Sequence, residues 1–176
     1  MLPETLKEVE NMERLVKEIL TISKIEMDGL AGKAEPVSLP DTITKVTETL
    51  LPLAQERQIT VHSQLTGDVT VSGNVSLLEK AIHNILTNAI RHSPEGAEVF
   101  IHLTPSVLIV TNAGASIPEE DLPVLFTPFY RVEKSRNKST GGSGLGLYLV
   151  KTILELHGFQ YRVENTGSGV VFTVVF

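Results

Sequence analysis

The sequence predicts an α/β fold: a two-layer sandwich of a mixed, largely antiparallel sheet covered on one face by helices, preceded by a long helix. Two observations predict it. Apolar residues recur at helical spacing in four segments, with short alternating or continuous apolar runs typical of strands between them. Two pairs of these runs are joined by short turns, which indicates hairpins and antiparallel pairing. Helices and strands do not alternate regularly, so a doubly wound parallel sheet is not expected.

Composition limits the functional classes. The chain has 176 residues, enough for one domain with an appendage, and its 41% hydrophobic content allows a buried core. The net charge of −6 argues against general nucleic-acid binding, which needs a basic face. The absence of cysteine excludes disulfides and thiolate metal sites. No apolar run is long enough to span a bilayer, and no signal peptide pattern opens the chain.

The first predicted element is a helix over residues 2–28. Its apolar residues are spaced at three- and four-residue steps and no glycine interrupts them, which predicts about seven turns. Pro3 falls in the first turn, where proline is tolerated. Because no second long helix follows to cover the apolar face, we expect a dimer contact or a missing piece of chain. The alternative is that this helix packs on the following domain.

The other elements follow from apolar periodicity and turn signals. Pro52 predicts a kink or an irregular start in the second helix, and Asn74 is placed to cap the third. In chain order we predict a strand at 37–39, a helix at 41–57, strands at 59–65 and 69–72, a helix at 75–92, strands at 98–103 and 107–110, a short helix from 119, a helix at 145–156, and strands at 159–165 and 170–176.

The helix at 75–92 has a polar stripe opposite its apolar face. The stripe consists of Lys80, Asn84, Asn88 and Arg91. Asparagine is a modest helix former, so two of them one turn apart in mid-helix call for a reason. An amide oxygen can bind Mg²⁺, and an amide NH₂ can bind a phosphate oxygen. From this helix alone, a solvated face is the simpler explanation.

A glycine-rich turn precedes the last helix, with glycines at 142, 144 and 146. Glycine allows positive φ and close approach of a ligand, and a helix start presents free N–H groups that suit an anion. The alternative is a flexible loop with a helix cap. The turn lacks the Gly-Lys-Ser/Thr of a Walker A loop and the preceding apolar strand of a dinucleotide-binding turn. A basic segment between Phe126 and Thr140 also indicates a small anionic ligand, or else a solvated loop.

Four motifs in this order resemble those of the ATP-binding domain of sensor histidine kinases. Residues 84–91 resemble the N box, 112–117 the G1 box, 126–131 the F box and 142–147 the G2 box. Residues 4–28 resemble the second helix of the family's dimerisation and phosphotransfer domain. The resemblance therefore implies a dimerisation fragment at 1–30 and a catalytic domain at 31–176, with an ATP lid at about 115–141.

The resemblance also implies ATP and Mg²⁺ as ligands. It implies that Asn88 binds Mg²⁺, that Asn84 lies close to the metal or the phosphates, and that Arg91 touches the phosphates. His92 stands where an adenine-stacking aromatic residue is common, and Asn112 would face the adenine amino group. The implied nucleotide-binding residues outside the polar stripe are His92, Asn112, Gly114, Ile117, Tyr130, Arg131, Lys134, Arg136, Gly142, Gly144, Leu145, Gly146 and Leu147.

The sequence departs from the family pattern at three points. Asn112 replaces an aspartate, which keeps a hydrogen-bond acceptor but loses charge assistance, and Ser116 replaces the second glycine of the G1 box. The phosphoacceptor histidine is absent, because none of the histidines has the motif of a following acid and a proline about four residues later. These histidines are His62, His83, His92, His102 and His157. We therefore expect that the chain begins after the helix that carries the acceptor.

The resemblance implies a domain that transfers the ATP γ-phosphate to a histidine on that largely absent segment, for relay to a response regulator. It also implies a cytoplasmic domain of a homodimeric protein held in the cell membrane. A degenerate nucleotide-binding module acting through dimerisation is the alternative. A related ATPase or an anti-sigma-type kinase is disfavoured by the long first helix and by Asn84, where related ATPases carry a glutamate. Residues 161–166 and 169–172, together with the Asn-x-Gly pattern of the G1 box, resemble vancomycin-resistance sensor kinases.

Overall fold

The computed structural model describes residues 2–29, 34–132 and 142–176. For residues 2–4 and 7 it describes the backbone but not the side chains. Its elements in chain order are α1 (Leu2–Asp28), β1 (Glu35–Ser38), α2 (Leu39–Glu56), β2 (Thr60–Leu65), β3 (Thr70–Gly73), α3 (Val75–His92), β4 (Glu98–Leu103), β5 (Val107–Ala113), a 3₁₀ turn (Leu122–Val124), α4 (Gly146–Leu156), β6 (Gln160–Thr166) and β7 (Gly169–Val175).

The predicted mixed sheet is confirmed. Five strands pair in the order β2-β4-β5-β7-β6, and β1 pairs with β3 in a separate two-stranded sheet. Only the β2–β4 pairing in the larger sheet is parallel, whereas its other pairings are antiparallel. The two predicted hairpins are β4–β5 and β6–β7, which explains why short turns suffice to connect them.

Helices cover one face of this sheet. Val99, Ile101 and Leu103 alternate along β4 with their side chains buried, and they join the apolar faces of α2, α3 and α4 in one core. On the other face Phe100 is exposed and stacks on His62, with ring centroids 4.9 Å apart. The alternation of buried and exposed residues thus produces the two-layer arrangement that the sequence predicts.

The long helix α1 packs on the rest of the chain along one face only. Ile22 and Ile25 are buried in a second apolar cluster with Leu145, Leu149 and Ile153 of the α4 region. The other apolar residues of α1 stay exposed, among them Leu6, Val9, Met12, Val16, Ile19 and Leu20. The helix therefore packs on the following domain and has a second apolar face that no described residue covers, so the two alternatives drawn from the sequence are compatible.

Some boundaries differ from the sequence prediction. β5 continues three residues beyond Val110, because its pairing with β7 runs to Ala113 and carries polar residues into the ladder. Pro52 lies within α2 without ending it. The acidic residues from 119 form a turn, and the short helix is a 3₁₀ turn at Leu122–Val124. Within the described residues, no helix is both long and apolar enough to cross a membrane.

A histidine joins the C-terminal end of α4 to the start of α3. The His157 Nδ1–H donates to the Ile153 carbonyl at 2.7 Å, and Nε2 accepts from the Asn74 N–H at 3.1 Å. The tautomer follows because a carbonyl can only accept and an amide N–H can only donate. The Asn74 side chain meanwhile caps α3 through the Leu77 N–H. Gly73 lies against this ring, and a Cβ built there would be 2.6 Å from His157 Cδ2.

We predict that Gly73→Ala lowers the free energy of unfolding by about 1–3 kcal/mol, since the ring is held by two hydrogen bonds and cannot swing away cheaply. Gly67→Ala is the matched control, because a Cβ at Gly67 meets nothing within 4 Å. Urea denaturation of the two variants measures the difference. Equal stability of Gly73→Ala and wild type would show that the His157 contact does not constrain this position.

Candidate functional site

The polar stripe of α3 lies on the accessible side of that helix, as predicted. Asn84 and Asn88 are half-buried, while Ile85 and Ala89 beside them belong to the core. The Asn84 Nδ2 donates to the Lys80 carbonyl at 2.9 Å, which leaves its Oδ1 available. The Asn88 amide makes no side-chain hydrogen bond to any residue that the structure describes. Both asparagines therefore present an amide oxygen to the same side of α3.

A second amide lies at the end of β5. Asn112 is only 7% exposed, yet its side chain forms no hydrogen bond with the described part of the chain. The amide atoms still touch solvent, so a ligand can replace water as their hydrogen-bond partner. Gly114 follows with φ of 71°, a conformation that favours glycine, and a Cβ there would be 3.6 Å from Pro94 Cγ. The β5 end and the loop after α3 therefore border one space.

The segment that starts at Gly114 is attached to the sheet at two points. Asn165 of β6 accepts from the Ile117 N–H at 3.0 Å and donates to the Ile117 carbonyl at 2.7 Å. Phe126 packs edge-on against Tyr161 and Phe172, at centroid distances of 4.8 and 6.0 Å. Phe126 is thus an anchor in the main core.

Tyr130 is also held within this segment, because its hydroxyl donates to the Asp121 carboxylate. The backbone of Ile117 and the ring of Tyr130 are therefore both restrained by contacts inside the protein.

The glycine loop before α4 is packed tightly against the F box. The Phe129 N–H donates to the Gly144 carbonyl at 2.9 Å, and Phe129 itself has a φ of 64°. Gly144 has a φ of 77°, and a Cβ there would be 2.7 Å from the Phe129 carbonyl carbon. Only glycine fits this close approach. We call this contact the Gly144–Phe129 clasp.

The same loop touches the polar stripe of α3. A Cβ on Gly146, the first residue of α4, would be 3.0 Å from Asn84 Oδ1. Leu145 is buried, so its side chain is not available to a ligand, whereas Leu147 is half-buried and packs on the main core. The backbone of the loop remains available, and Gly142 is exposed, with no atom of the described residues within 4 Å of a built Cβ. The structure therefore brings the N, F and G2 boxes together.

Cationic side chains surround the C-terminal end of α3. Loss of hydration lowers the pKa of His92, and the charges of Arg91, Arg57 and Arg131 lower it further. The ring keeps accessible surface, so nearby protein atoms exclude only part of its water. The pKa of Arg91 is also lowered, first by loss of hydration and then by Arg14 and Arg57, while Glu18 opposes this. Such a concentration of positive charge suits a polyanion.

Arg57 has a structural role that the sequence does not reveal. Its Nε donates to the Ile90 carbonyl at 3.2 Å, and its terminal nitrogen donates to the Ser93 carbonyl at 3.1 Å. It thereby caps the C-terminal end of α3, where carbonyls lack helical partners. Arg57 and Asn165 lie far along the chain from the residues they hold, and no local pattern identifies them.

The predicted site residues Lys134 and Arg136 lie outside the described residues.

A groove of about 600 Å³ runs beside the first half of α3. It reaches the polar stripe only at Lys80 and Asn84 and does not include Asn88 or Asn112. Because the unpartnered amides and the arginines lie elsewhere, we locate the candidate site between α3, the β5 end and the glycine loop.

The amide oxygens of Asn84 and Asn88 fit a Mg²⁺ ion bound jointly with phosphates. Magnesium prefers oxygen ligands and commonly takes one or two from the protein, with water and phosphate oxygens completing its shell. Among the described residues no cluster of three or more His, Cys, Asp or Glu side chains could hold a metal ion by itself. The chemistry of the two amides therefore suits an ion that arrives with its ligand.

Comparison with known proteins agrees with this geometry. The family described as histidine kinase-, DNA gyrase B- and HSP90-like ATPase matches residues 73–176. The sensor protein VanSB of Enterococcus faecalis is 31% identical over 175 residues, covering 97% of this chain and 39% of its own length. The sensor histidine kinase CusS of Escherichia coli O157:H7 is 33% identical over 177 residues, covering 97% of this chain and 36% of its own.

A solved structure, the cytoplasmic segment of histidine kinase QseC, is similar with a TM-score of 0.67 at 25% identity. It covers 96% of this chain and 93% of that one, so the similarity includes α1. The chain spans less than two fifths of the length of the two curated relatives.

We predict that Gly144→Ala destroys the Gly144–Phe129 clasp and weakens binding of a nucleotide, ATP being the probe, by about tenfold or more. Gly142→Ala is the matched control in the same loop, because its Cβ meets nothing within 4 Å. Isothermal titration calorimetry gives both affinities. Equal weakening by the two substitutions would mean that loop flexibility matters and the clasp does not.

We predict that Arg91→Gln raises the pKa of both His83 and His92, since the Arg91 charge lowers each of them. Arg162→Gln, which removes an exposed charge on β6, should change neither. NMR titration of the ring protons measures these pKa values. In wild type, pKa values below those of the unfolded chain mean that both histidines reduce stability as the pH falls through their ordinary range.

Proposed function

The chain belongs to the histidine kinase-, DNA gyrase B- and HSP90-like ATPase family, and we propose that it is the ATP-binding catalytic part of a sensor histidine kinase. Two observations carry the proposal: Asn112 is only 7% exposed and has no side-chain hydrogen bond to the described residues, and Arg57, Arg91 and Arg131 place positive charge around His92 at the end of α3. A base-binding amide at one end and positive charge at the other are what a nucleoside triphosphate requires.

The base would bind at the β5 end. The Asn112 amide can accept a hydrogen bond from an exocyclic amine and donate one to a ring nitrogen, a pattern that suits adenine. Gly114 leaves room for the base to approach the backbone. His92, which is mainly uncharged at neutral pH because its pKa is lowered, offers a flat ring for stacking.

The phosphates would bind between α3 and the glycine loop. Arg91 and Arg131 supply charge there, and the loop at 142–146 supplies backbone N–H groups at the start of α4. Asn88, with Asn84 beside it, would hold Mg²⁺. Bound there, Mg²⁺ would neutralise phosphate charge and orient the terminal phosphate. We assign residues 115–141 to the ATP lid, with Lys134 and Arg136 as further candidate phosphate ligands.

The chemistry that these residues support is phosphoryl transfer by positioning and charge neutralisation. The side chains facing the terminal phosphate would be amides and arginines, which cannot accept a proton from water. Because Asn84 stands where a water-activating carboxylate would be needed, transfer to an acceptor is favoured over hydrolysis. We propose that the acceptor is a histidine on a dimerisation segment and that the phosphoryl group then passes to a response regulator.

The exposed apolar residues of α1 support a helical partner. Leu6, Met12 and Leu20 lie on the side of α1 that does not contact α4, and each is more than 60% exposed. We propose that the dimerisation segment, in one or both protomers of a homodimer, covers this face in a complete protein held in the membrane. Residues 1–30 would then belong to the dimerisation domain and 31–176 to the catalytic domain.

The alternative of a degenerate module finds less support. The family match and the sensor kinase relatives favour the catalytic interpretation. The described part of the glycine loop is intact, and Asn88 keeps an available amide. A titration with ATP distinguishes the two, since a degenerate module would bind none.

We predict that Asn88→Ala weakens Mg²⁺–ATP binding by about 10- to 100-fold, because it removes an oxygen that would bind the ion. Without Mg²⁺, wild type and variant should bind ATP with similar affinity. Thr87→Ala, one residue earlier on α3, is the control and should bind as wild type does. Calorimetry with and without Mg²⁺ tests this. Unchanged Mg²⁺–ATP affinity in Asn88→Ala would remove Asn88 from the site.

A further inference from the structure

Helix α1 docks beside the phosphate end of the proposed site. Its buried residues Ile22 and Ile25 pack on Leu145 and Leu149, at the start of α4. The Tyr148 hydroxyl also donates to the Glu26 carboxylate at 3.2 Å. Because Leu145 directly follows the glycine loop, a movement of α1 acts on the residue that fixes the end of that loop.

One acid of α1 reaches into the loop itself. The Ser143 hydroxyl, between Gly142 and Gly144, donates to the Glu18 carboxylate at 2.5 Å. The same oxygen of Ser143 accepts from the Leu145 N–H at 3.2 Å, one of the N–H groups at the start of α4. A carboxylate is thus hydrogen-bonded within a loop whose donors and helix dipole favour an anion.

The charge of Glu18 also acts on the phosphate-binding face of α3. Glu18 is the acid that opposes the lowering of the Arg91 pKa, whereas Arg14 of the same helix adds to it. Glu18 is half-buried and Glu13 is exposed. Among the acids of α1, Glu18 is therefore the one whose charge bears on both the glycine loop and Arg91 in the described structure.

We propose that Glu18 competes with the phosphates of the nucleotide for the glycine loop and for the field of Arg91. This inference rests on the proposed function and extends it to a residue outside the four boxes. Phosphates entering the loop would either displace the Glu18 carboxylate from Ser143 or bind beside it and be repelled by its negative charge. Release of Glu18 removes a polar contact between α1 and the glycine loop that precedes α4. Nucleotide binding and the docking of α1 therefore oppose each other, and the opposition is reciprocal.

The test is Glu18→Gln, which removes the charge and keeps a hydrogen-bond acceptor. We expect ATP to bind about 2- to 10-fold more tightly to Glu18→Gln than to wild type, with the gain shrinking at high salt. Adenosine, which has no phosphate, should bind both equally. Glu13→Gln makes the same change at an exposed position of α1 and should bind ATP as wild type does.

Each outcome decides the question. Unchanged ATP affinity in Glu18→Gln, with wild type binding ATP, would overturn the competition and leave the proposed function intact. An equal gain for ATP and adenosine would show that Glu18 acts through the fold. If wild type and variant bind neither ligand, the proposed function fails and the competition fails with it. As an independent measurement, amide exchange in α1 around Glu18 should accelerate when ATP binds to wild type and should not change with adenosine.

Discussion

The close approach of the glycine loop to two other elements is the constraint on which the site depends. At Gly144 the loop meets the backbone of Phe129, and at Gly146 it meets the amide of Asn84. The approach at Gly144 leaves no room for a side chain, and a Cβ at Gly146 would fit only if the Asn84 amide shifted by a few tenths of an ångström. These contacts fix the start of α4 against α3 and attach the end of the F box to it. The glycines are thus needed for packing between elements as well as for exposing backbone to a ligand.

Helix α1 has two apolar faces in different surroundings. One face is buried on α4 through Ile22 and Ile25, and the other face is exposed and apolar. A helix with two apolar faces can bind two partners at once, so a change at one face can be transmitted to the other. The hydrogen bond between Glu18 and Ser143 lies beside the proposed phosphate site, so a movement of α1 would act there. A partner on the exposed face could in this way change how firmly the nucleotide is held.

The sequence predicted the elements with strong local signals best. The bounds of α3 agree with the prediction because Asn74 caps one end and Ser93-Pro94 stops the other. The extension of β5 to Ala113 was missed because its last residues are polar and become strand only through pairing with β7. Asn84, Asn88 and Asn112 are candidates from the sequence because they lie in short motifs. Arg57 and Asn165 are not, because each acts on backbone groups more than thirty residues away.

By itself the sequence determined the fold class, the order of the helices and strands, and the local motifs. All of these depend on periodicity and short-range turn chemistry. Only the tertiary structure decided that Asn112 is 7% exposed with no side-chain hydrogen bond to the described residues, and that α1 lies on α4. It alone also showed that Glu18 reaches Ser143. Burial and contacts between distant residues depend on how elements pack, and many packings share the same local pattern. Gly144 illustrates both kinds of information. Its conformational freedom can be read from the sequence, whereas the need for glycine there comes from the packing of Phe129 against it.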